Sequence, residues 1–458
     1  MSERCDYDVL IIGGGQAGIP LARGLAEAGK RVALAERKDL GGSCVNFGCT
    51  PTKAAVASAR VAHLARRGAE YGLRIPAVEI DFPAVIERAR RIAAVSRASH
   101  DRAFAAAANP TLFRGQARLE GRAGEGFRVR IGERAVMAHE VVLDTGTRSV
   151  IPPIEGLKEI PYVHAGNWLE LTTLPSHLAV IGAGAIGLEM AQFYRRMGSR
   201  VTVIEFNPHI AGHEDADVAD ALQKILTAEE IEFRLATSVD TIAARDDAVV
   251  LRLGPEGKSE LRASHVFVAT GRKGNTDDLG LESVGVATLK QGIVQVDERL
   301  ATSVKGIWAA GDIRGGPQFT HTAWDDYRIL LSQLAGDGAR TTERVVPYAI
   351  FTDPELGRVG LTESEARRAG HEIKVGRFDM GDSGKAYEIG EDQGMIKVVI
   401  DRHSNLIIGA AVLAAEGAEL VHGYIDLMNA KAPYTVMREA VYIHPTLAEA
   451  IQSAVSEV

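Results

Sequence analysis

The sequence predicts an α/β protein with two Rossmann-like units followed by a C-terminal α+β domain. Three observations support this fold class. The chain of 458 residues exceeds the length that one hydrophobic core usually serves, so several domains are expected. A glycine-rich pattern occurs twice, each time between an apolar strand-like segment and a helix-forming segment. Near the end, strand-like segments at 395–400 and 406–413 precede a helical stretch over 418–430, an order typical of an α+β domain.

The composition is that of an ordinary folded protein, with 46% hydrophobic and 24% charged residues. A formal net charge of −8 leaves no basic stripe to neutralise phosphate groups, so neither nucleic acid nor a membrane surface is an expected partner. The first residues show no basic stretch followed by a long apolar segment, and no run approaches the ~20 apolar residues that span a bilayer. We therefore expect a cytoplasmic protein.

The first Rossmann-like unit begins with an apolar strand at 9–12 and passes through a glycine turn into a helix that ends near Gly29. A second strand, 31–36, ends in Glu36. Glycines let the backbone approach a pyrophosphate, and a helix N-terminus offers free N–H groups and partial positive charge. The acidic residue would then bind ribose hydroxyls. The glycines of this pattern are Gly13, Gly15 and Gly18.

The second unit repeats this order, with a strand at 178–181, a helix to 197 and a strand at 200–205. Its terminal Glu205 follows the first glycine by 23 residues, as Glu36 does in the first unit. A single glycine pattern is weak evidence, whereas two copies in the same context predict two dinucleotide sites. The glycines of the second pattern are Gly182, Gly184 and Gly187.

Prolines mark the connections between these units. Pro152 and Pro153 follow the first unit, and Pro347 follows a polar stretch at 336–344. We therefore expect domain boundaries near 150 and 345.

Two of the three cysteines, Cys44 and Cys49, lie five residues apart on a glycine-containing bend after the first unit's acidic residue. Pro51 suits the first turn of a helix and 54–67 is rich in helix formers, so Cys49 is expected at a helix N-terminus. There the helix dipole and the ammonium group of Lys53, one turn on, favour a reactive thiolate. The pair is therefore a candidate redox disulfide.

Two alternatives to a redox pair stay open on these residues. A zinc site requires four soft ligands, and only Cys5 remains as a further thiolate donor, so no metal site is expected. The cysteines could also be inert buried thiols. The flanking glycines and Lys53 favour the redox hypothesis over this alternative.

The chain resembles the class of flavoprotein disulfide reductases that includes dihydrolipoyl dehydrogenase, glutathione reductase, mycothione reductase and mercuric reductase. The resemblance covers essentially the whole chain and rests on several motifs together. These are GGSCVNFGCTPTK at 41–53, both glycine patterns, ATGR at 269–272, AAGD at 309–312 and HPTLAE at 444–449.

The resemblance implies that the first unit binds FAD and spans 1–150 and 269–345. It also implies that the second unit, 151–268, binds the nicotinamide nucleotide and that the C-terminal domain, 346–458, mediates dimerisation. Glu36 would hold the FAD ribose, Asp312 would contact the sugar chain of the flavin, and Lys53 would lie beside the flavin ring, paired with Glu189. The other cofactor contacts that it implies, besides the two glycine patterns, are Gly42, Ser43, Ala117, Thr145, Gly146, Glu205 and Gly271.

The resemblance also assigns the catalytic groups. Cys49 would be the sulfur nearest the flavin and Cys44 the outer sulfur that exchanges with the substrate. His444 would be the general acid/base, oriented by the carboxylate of Glu449. Since this histidine serves the cysteines of the other subunit, an obligate homodimer is implied.

The expected nucleotide is NAD(H) rather than NADP(H). The charge of Glu205 would repel a 2′-phosphate, and no arginine occurs in 206–211 to accommodate one.

The expected substrate is a lipoamide-type dithiol, so that the protein would be dihydrolipoyl dehydrogenase-like. The segment 315–321 instead resembles mercuric-reductase-like members, although 451–458 lacks their C-terminal cysteine pair. The alternatives are a metal-ion reductase, a reductase of a glutathione- or mycothione-type disulfide, and a non-enzymatic flavin-bound redox sensor. Three residues depart from the patterns of the class, namely Ala185, Gly274 and Tyr442.

Overall fold

The computed structural model describes residues 5–254 and 257–458. The first part of the chain forms a parallel sheet extended by an antiparallel meander. Its elements are β1 (Tyr7–Ile12), α1 (Gly18–Glu27), β2 (Val32–Glu36), α2 (Gly42–Asn46), α3 (Cys49–Arg66), α4 (Phe82–Ala105), β3 (Thr111–Arg114), β4 (Ala117–Ala123), β5 (Gly126–Ile131), β6 (Arg134–Leu143) and β7 (Thr147–Ser149). The strand order is β3-β2-β1-β6-β5-β4. Strand β1 is buried and apolar because helices cover the sheet, as expected for a parallel arrangement.

The second Rossmann-like unit repeats this plan. Its elements are β8 (Val163–His164), β9 (His177–Ile181), α5 (Ala185–Met197), β10 (Arg200–Ile204), α6 (Ala216–Ala228), β11 (Ile231–Arg234), β12 (Val239–Arg245), β13 (Ala248–Leu253), β14 (Ser259–Ala263) and β15 (His265–Val268). The order β11-β10-β9-β15-β8 is parallel, and β12-β13-β14 form an antiparallel meander. The predicted duplication is confirmed.

The chain then returns to the first sheet through β16 (Arg272–Gly274), β17 (Ile307–Ala309) and α7 (Thr320–Ala335). Strand β16 pairs antiparallel with β7. The segment by which the chain leaves the first unit and the segment by which it returns are therefore neighbours. Strand β17 pairs parallel with the second half of β6, whose first half belongs to the antiparallel meander. The first unit is therefore assembled from two separate parts of the chain.

The C-terminal part is an antiparallel sheet with helices, as the predicted α+β domain requires. Its elements are β18 (Pro347–Ile350), β19 (Glu355–Gly360), α8 (Glu363–Arg368), β20 (Ile373–Asp379), α9 (Gly384–Glu388), β21 (Met395–Asp401), β22 (Ile407–Ala414), α10 (Gly417–Leu420), α11 (His422–Ala430), α12 (Thr435–Arg438) and α13 (Ala448–Ser456). The strand order is β18-β19-β22-β21-β20. Buried Tyr424 and Ile451 pack their helices on this sheet, and the Tyr424 hydroxyl donates to the Ile451 carbonyl at 2.8 Å.

The predicted α/β fold class with two Rossmann-like units and an α+β domain is confirmed. The boundaries at 150, 268 and 345 stay predictions; they fall at the ends of β7 and β15 and between α7 and β18. Within the described ranges, no helix combines the length and the apolar character needed to cross a membrane.

An ion-pair cluster joins the second unit to the C-terminal domain. Lys397 of β21 is 4% exposed, and its Nζ lies 3.0 Å from Asp215 Oδ2, 2.9 Å from Asp217 Oδ1 and 2.8 Å from Glu363 Oε2. Arg377 approaches the last two of these carboxylates from the surface. A buried ammonium held by several carboxylates fixes the orientation of the elements that carry them.

Candidate redox site

The two cysteines lie at the ends of a short bend between α2 and α3. Cys44 is in α2, and Cys49 is the first residue of α3; both are free thiols, and each cysteine shifts the pKa of the other. The bend is tight because the N–H of Gly48 donates to the Ser43 carbonyl at 2.6 Å. A Cβ on Gly48 would lie 2.8 Å from that same oxygen, so a larger residue would force the bend to shift.

The α2 side of this bend is held by the Asn46 side chain. Its Nδ2 donates to the carbonyls of Gly42 at 2.9 Å and Leu40 at 3.1 Å. Arg97 of α4 donates to Asn46 Oδ1 at 3.3 Å from the other side. The loop around the cysteines is thus anchored by side chains as well as by its own backbone.

The surroundings of Cys49 favour its thiolate. Its pKa falls to about 6 because the Cys44 thiol donates to it, with further contributions from the Thr320 hydroxyl, 3.3 Å away, and the Lys53 ammonium. The N-terminus of α3 adds the partial positive charge of its free N–H groups. The same hydrogen bond, together with burial, raises the pKa of Cys44. The site therefore favours the thiolate form of Cys49 and the thiol form of Cys44.

Lys53 and Glu189 form an ion pair beside the cysteines. Lys53 Nζ lies 2.7 Å from Glu189 Oε2 and 4.3 Å from the centre of the Phe351 ring. The other oxygen of buried Glu189 accepts from the backbone N–H of Phe351 at 2.9 Å. The first unit, the second unit and the C-terminal domain therefore meet at this pair.

A cavity of about 1490 Å³ runs from the first glycine turn past the cysteines into the second unit. The predicted site residues that line it are Gly13, Gly15, Glu36, Gly42, Ser43, Cys44, Cys49, Lys53, Ala117, Thr145, Gly146, Gly184, Glu189 and Asp312. The predicted residues that do not line it are Gly18, Gly182, Gly187, Glu205, Gly271, His444 and Glu449.

The first glycine turn has the close backbone approach that a bound dinucleotide needs. Gly13 has a φ of +113°, and a Cβ on Gly42 would lie 3.1 Å from the Cα of Gly15. Glu36 Oε2 accepts from the N–H of Gly14 at 2.8 Å, which places this carboxylate at the edge of the turn. Side chains larger than glycine would fill this cradle, so the residues present fit the FAD that the resemblance implies.

Asp312 lines the same cavity and follows β17 in the chain. Its Oδ2 accepts from the Thr147 hydroxyl at 2.8 Å and lies 3.4 Å from Arg272 Nη2. These contacts hold the carboxylate in a defined orientation where a hydroxyl-bearing chain could donate to it.

The second unit repeats the arrangement of the first. Glu205 Oε2 accepts from the N–H of Ala183 at 2.8 Å, as Glu36 does from Gly14, and its Oε1 accepts from the Asn207 N–H at 2.9 Å. Gly182 has a φ of +106°, and Gly184 is the residue before α5. The expected nucleotide-binding residues are therefore together at one end of this sheet, with Gly271 near by at the chain's return to the first unit.

His444 and Glu449 form a separate pair on the surface of the C-terminal domain. His444 Nδ1 lies 3.1 Å from Glu449 Oε1, and the Thr446 N–H donates to Glu449 Oε2 at 2.8 Å. The His444 side chain is 78% exposed, and Val441 and Ile443 beside it are also exposed. This surface has the apolar character of a face that another protein covers.

Asp144 is a buried site residue that the sequence analysis missed. Its Oδ2 accepts from the N–H of Gly18 at 2.7 Å, and burial raises the pKa of its carboxyl well above the usual value. Ala269 has the corresponding position in the second unit: the N–H of each residue donates at 2.8 Å to the last carbonyl of the strand that precedes the glycine turn, β1 or β9. The sequence contained a signal for Asp144, because the tripeptide DTG at 144–146 corresponds to ATG at 269–271 in the second unit.

Thr320, Phe351 and Trp168 were also missed. Each contacts the redox site from a distant part of the chain, and none belongs to a motif around the cysteines. Phe351 and Trp168 lie in no motif of the sequence analysis. Thr320 lies in the segment 315–321, which the sequence analysis compared with mercuric-reductase-like members without expecting a contact to the cysteines.

The chain matches two family profiles. Residues 7–326 match "Pyridine nucleotide-disulphide oxidoreductase", and residues 346–455 match the dimerisation domain of the same family. The chain belongs to the pyridine nucleotide-disulphide oxidoreductase family. The family binds FAD and a pyridine nucleotide, and its dimerisation domain implies a homodimer.

Known proteins that align with this chain over nearly their whole length support the family assignment. The chain is 32% identical to the probable pyridine nucleotide-disulfide oxidoreductase RclA of Escherichia coli, over 99% of both proteins. It is also 32% identical to a dihydrolipoyl dehydrogenase of Cupriavidus necator, over 98% of this chain and 97% of that protein. The solved structure described as the HOCl-induced flavoprotein disulfide reductase RclA from Escherichia coli superposes with a TM-score of 0.90, covering 99% of this chain and 100% of that chain. Its Cu(II) complex gives a TM-score of 0.89 over 98% of this chain and 100% of that chain, at the same 32% identity.

Proposed function

We propose that this oxidoreductase uses FAD to pass electrons between NAD(H) and a dithiol or disulfide substrate through the Cys44–Cys49 pair. The observation that carries the proposal is the cysteine pair on the short bend between α2 and α3, with the Lys53–Glu189 ion pair beside it, on the wall of one cavity. Bound FAD would supply the two-electron transfer between the nicotinamide and the sulfurs.

The surrounding residues suit the thiol chemistry. In disulfide reduction, the Cys44 thiolate attacks one substrate sulfur, forms a mixed disulfide and expels the first product thiolate. The Cys49 thiolate then attacks Cys44 Sγ, which restores the intramolecular disulfide and releases the second thiolate. His444 of the partner subunit would take the proton from Cys44 and return it to a leaving thiolate, because the Glu449 carboxylate, 3.1 Å from His444 Nδ1, orients the imidazole for proton transfer.

A lipoamide-type dithiol is the substrate that we propose first. Dihydrolipoyl dehydrogenases are relatives at 32% identity over almost the whole chain, and the His444–Glu449 pair supplies the acid/base that a dithiol needs. Anaerobic turnover with dihydrolipoamide and NAD⁺, and with NADH and lipoamide, tests this. Glutathione disulfide serves as the comparison substrate, and turnover of glutathione disulfide alone would contradict the lipoamide proposal.

The Cys44→Ser variant separates the outer sulfur from the rest of the site. We expect it to lose disulfide turnover while its bound FAD is still reduced by NADH, because the serine hydroxyl cannot undergo thiol exchange. Unchanged turnover would refute the role proposed for Cys44.

NAD(H) is the nucleotide that we propose. The carboxylate of Glu205 stands at the end of β10, where a ribose is expected, and it would repel a 2′-phosphate. The ratio of kcat/KM for NADH and NADPH tests this directly, and a strong preference for NADPH would contradict it.

A metal ion is a second candidate substrate, because the homologue RclA was solved as a Cu(II) complex. Paired cysteine sulfurs are soft ligands that suit ions such as copper and mercury. The test is NADH oxidation that depends on Cu(II) or Hg(II) under excess thiol. If it proceeds while lipoamide is not turned over, the metal-ion proposal replaces the first.

A further inference from the structure

The peptide carbonyl of Phe47 lies between the two cysteines and is bonded from a different part of the fold. Trp168 Nε1 donates to this oxygen at 2.8 Å, although 121 residues separate the two in sequence. Trp168 is 1% exposed, so water has almost no access to its side chain. Phe47 is partly buried, so its carbonyl would need another partner if it lost this donor, and loss of the hydrogen bond costs free energy.

The Trp168 side chain is itself held in place. Its ring packs edge-on against Phe193 of α5, with 6.1 Å between ring centroids and an interplanar angle of 73°. The preceding Asn167 accepts from the His164 N–H at 2.7 Å and donates to the Tyr162 carbonyl at 3.2 Å. The indole N–H is therefore presented to the bend by an ordered segment of the second unit.

The two sides of the bend have different anchors. The side chain of Asn46 holds the α2 side, which carries Cys44. Trp168 holds the peptide that follows, immediately before Gly48 and Cys49. Without the indole N–H, the segment that leads into Cys49 would keep only its backbone bonds.

We propose that Trp168 is a positioning residue of the redox pair, whose indole N–H holds the Phe47 carbonyl and thereby sets the approach of Cys49 to Cys44. The inference rests on the proposed function, because it requires the two cysteines to form a reversible disulfide. The hydrogen bond from Trp168 to Phe47 links the second unit to the redox bend. Trp168 itself takes no part in the chemistry.

The equilibrium between dithiol and disulfide measures this positioning. In glutathione buffer, the two thiols and one glutathione disulfide give the Cys44–Cys49 disulfide and two glutathione molecules, so electrons and protons balance. The equilibrium constant rises with the effective concentration of one sulfur at the other. A loosened bend lowers that concentration, and the disulfide becomes easier to reduce.

The Trp168→Phe variant removes the N–H and keeps an aromatic ring. We expect the equilibrium constant for disulfide formation to fall about three- to tenfold, the effect of one buried hydrogen bond. It is measured on the FAD-loaded protein by acid quenching, alkylation and mass spectrometry over a series of glutathione ratios. FAD content is determined for each variant from its absorbance.

Trp308→Phe is the matched control. Trp308 Nε1 also donates at 2.8 Å, to Glu140 Oε2, but in the first sheet and not at the cysteines. We expect this control to lower the midpoint of thermal unfolding without changing the thiol equilibrium. An equal shift in both variants, or no shift in Trp168→Phe, would overturn the positioning role.

Failure of the proposed function and failure of the Trp168→Phe variant to fold can each be distinguished from failure of the positioning role. If the unchanged protein forms no Cys44–Cys49 disulfide at any glutathione ratio, the proposed function fails and the inference fails with it. If Trp168→Phe does not fold, benzothienylalanine at position 168 replaces the N–H with sulfur in a ring of the same shape. The same fall in the equilibrium constant supports the inference, and an unchanged constant contradicts it.

Discussion

At the residue scale, the chemistry of the site depends on which sulfur carries the negative charge. Three neighbours stabilise the Cys49 thiolate: the Cys44 thiol, the Thr320 hydroxyl and the Lys53 ammonium. They come from α2, α7 and α3. Charge at this sulfur is thus a property of the assembled fold and cannot be assigned from the CxxxxC spacing alone.

Loss of the Thr320 hydroxyl should raise the pKa of Cys49. The pKa of about 6 lies below the ordinary value of 9.0, so the reactive thiolate forms as the pH rises through about 6. In Thr320→Val, we expect the midpoint to move up by about one unit, because one hydrogen bond to a charged group is lost. Thr320→Ser keeps a hydroxyl and should keep the midpoint.

The measurement is the pH dependence of the rate at which iodoacetamide alkylates Cys49 in the reduced protein, followed by peptide mass spectrometry. A wild-type midpoint near the ordinary thiol value would contradict the description of the thiolate. Equal midpoints in the valine and serine variants would show that the hydroxyl does not act on this sulfur.

Sequence reasoning found the residues that stand in local patterns and missed those that do not. Cys44, Cys49 and Lys53 share one segment, so their spacing alone suggested reactive thiols. Glu189 was paired with Lys53 only through the family resemblance. Trp168 and Thr320 reach the site across the tertiary fold, and their side chains are common as ordinary core or helix residues.

At the scale of elements, the duplicated units allow one to serve as a control for the other. Glu205→Ser removes the charge that would repel a 2′-phosphate, so we expect the kcat/KM ratio of NADPH to NADH to rise about tenfold or more. Glu36→Ser removes the equivalent charge in the first unit. That change should weaken FAD retention and leave the nucleotide ratio unchanged.

Steady-state kinetics with both nucleotides, and the FAD content after gel filtration, check this prediction. If Glu36→Ser alters the nucleotide ratio as much as Glu205→Ser does, the two units have been assigned to the wrong ligands.

The bend between α2 and α3 depends on the absence of a side chain at Gly48. Gly48→Ala places a Cβ 2.8 Å from the Ser43 carbonyl oxygen, so we expect the bend to open and turnover to fall at least about tenfold. Gly384→Ala, where a Cβ would meet no atom within 4 Å, is the control and should leave turnover unchanged. Steady-state assays on both variants decide the point, and full activity in Gly48→Ala would show that the bend tolerates the shift.

The hydrophobic periodicity of the sequence predicted whether a segment is a helix or a strand better than it predicted where that helix or strand begins and ends. The stretch at 418–430 was expected as one helix, yet the structure has α10 and α11, which meet at Val421. A Cβ on Gly417 would lie 2.5 Å from the Glu355 carbonyl oxygen, so the start of α10 is pressed against β19. Such a tertiary contact leaves no trace in helix propensity.

At the scale of the whole molecule, the Lys397 cluster should stabilise the junction between the second unit and the C-terminal domain. Lys397→Met leaves Asp215 buried without its ammonium partner, at a cost of about 3 kcal/mol, and should lower the midpoint of thermal unfolding by several degrees. Arg377→Met is the control, since Arg377 is 49% exposed and contacts two of the same carboxylates from the surface. We expect it to cost less than about 1 kcal/mol.

The effect of Lys397→Met should also depend on pH. The pKa of Asp215 falls from the ordinary 3.8 to about 2, chiefly through hydrogen bonds from Ser364 and Lys397. A lowered folded-state pKa contributes stability above about pH 4 that is lost as the pH falls towards 2. Differential scanning calorimetry over this range should show the two proteins converging, and a constant difference would exclude Asp215 as the cause.

The proposed intersubunit site can be tested by mixing inactive proteins. If each site takes its cysteines and its histidine from different chains, a heterodimer of Cys44→Ser and His444→Gln has one site with both changes and one site with neither. We expect about half of the wild-type activity per heterodimer. The measurement is turnover of tagged heterodimers after subunit exchange.

The control pairs a Cys44→Ser/His444→Gln double variant with the unchanged chain. Every site in that heterodimer carries one defect, so it should be nearly inactive. The opposite pattern, with activity only in the control, would show that His444 serves the cysteines of its own chain.

The division of the first sheet has a consequence for biosynthesis. Strand β6 is made early, but its neighbour β17 and the cavity residue Asp312 are made only after the whole second unit. Domains tend to fold in the order in which they leave the ribosome. The second unit can therefore close while the first is still incomplete, and we expect flavin loading to follow the synthesis of β17 and Asp312, late in translation.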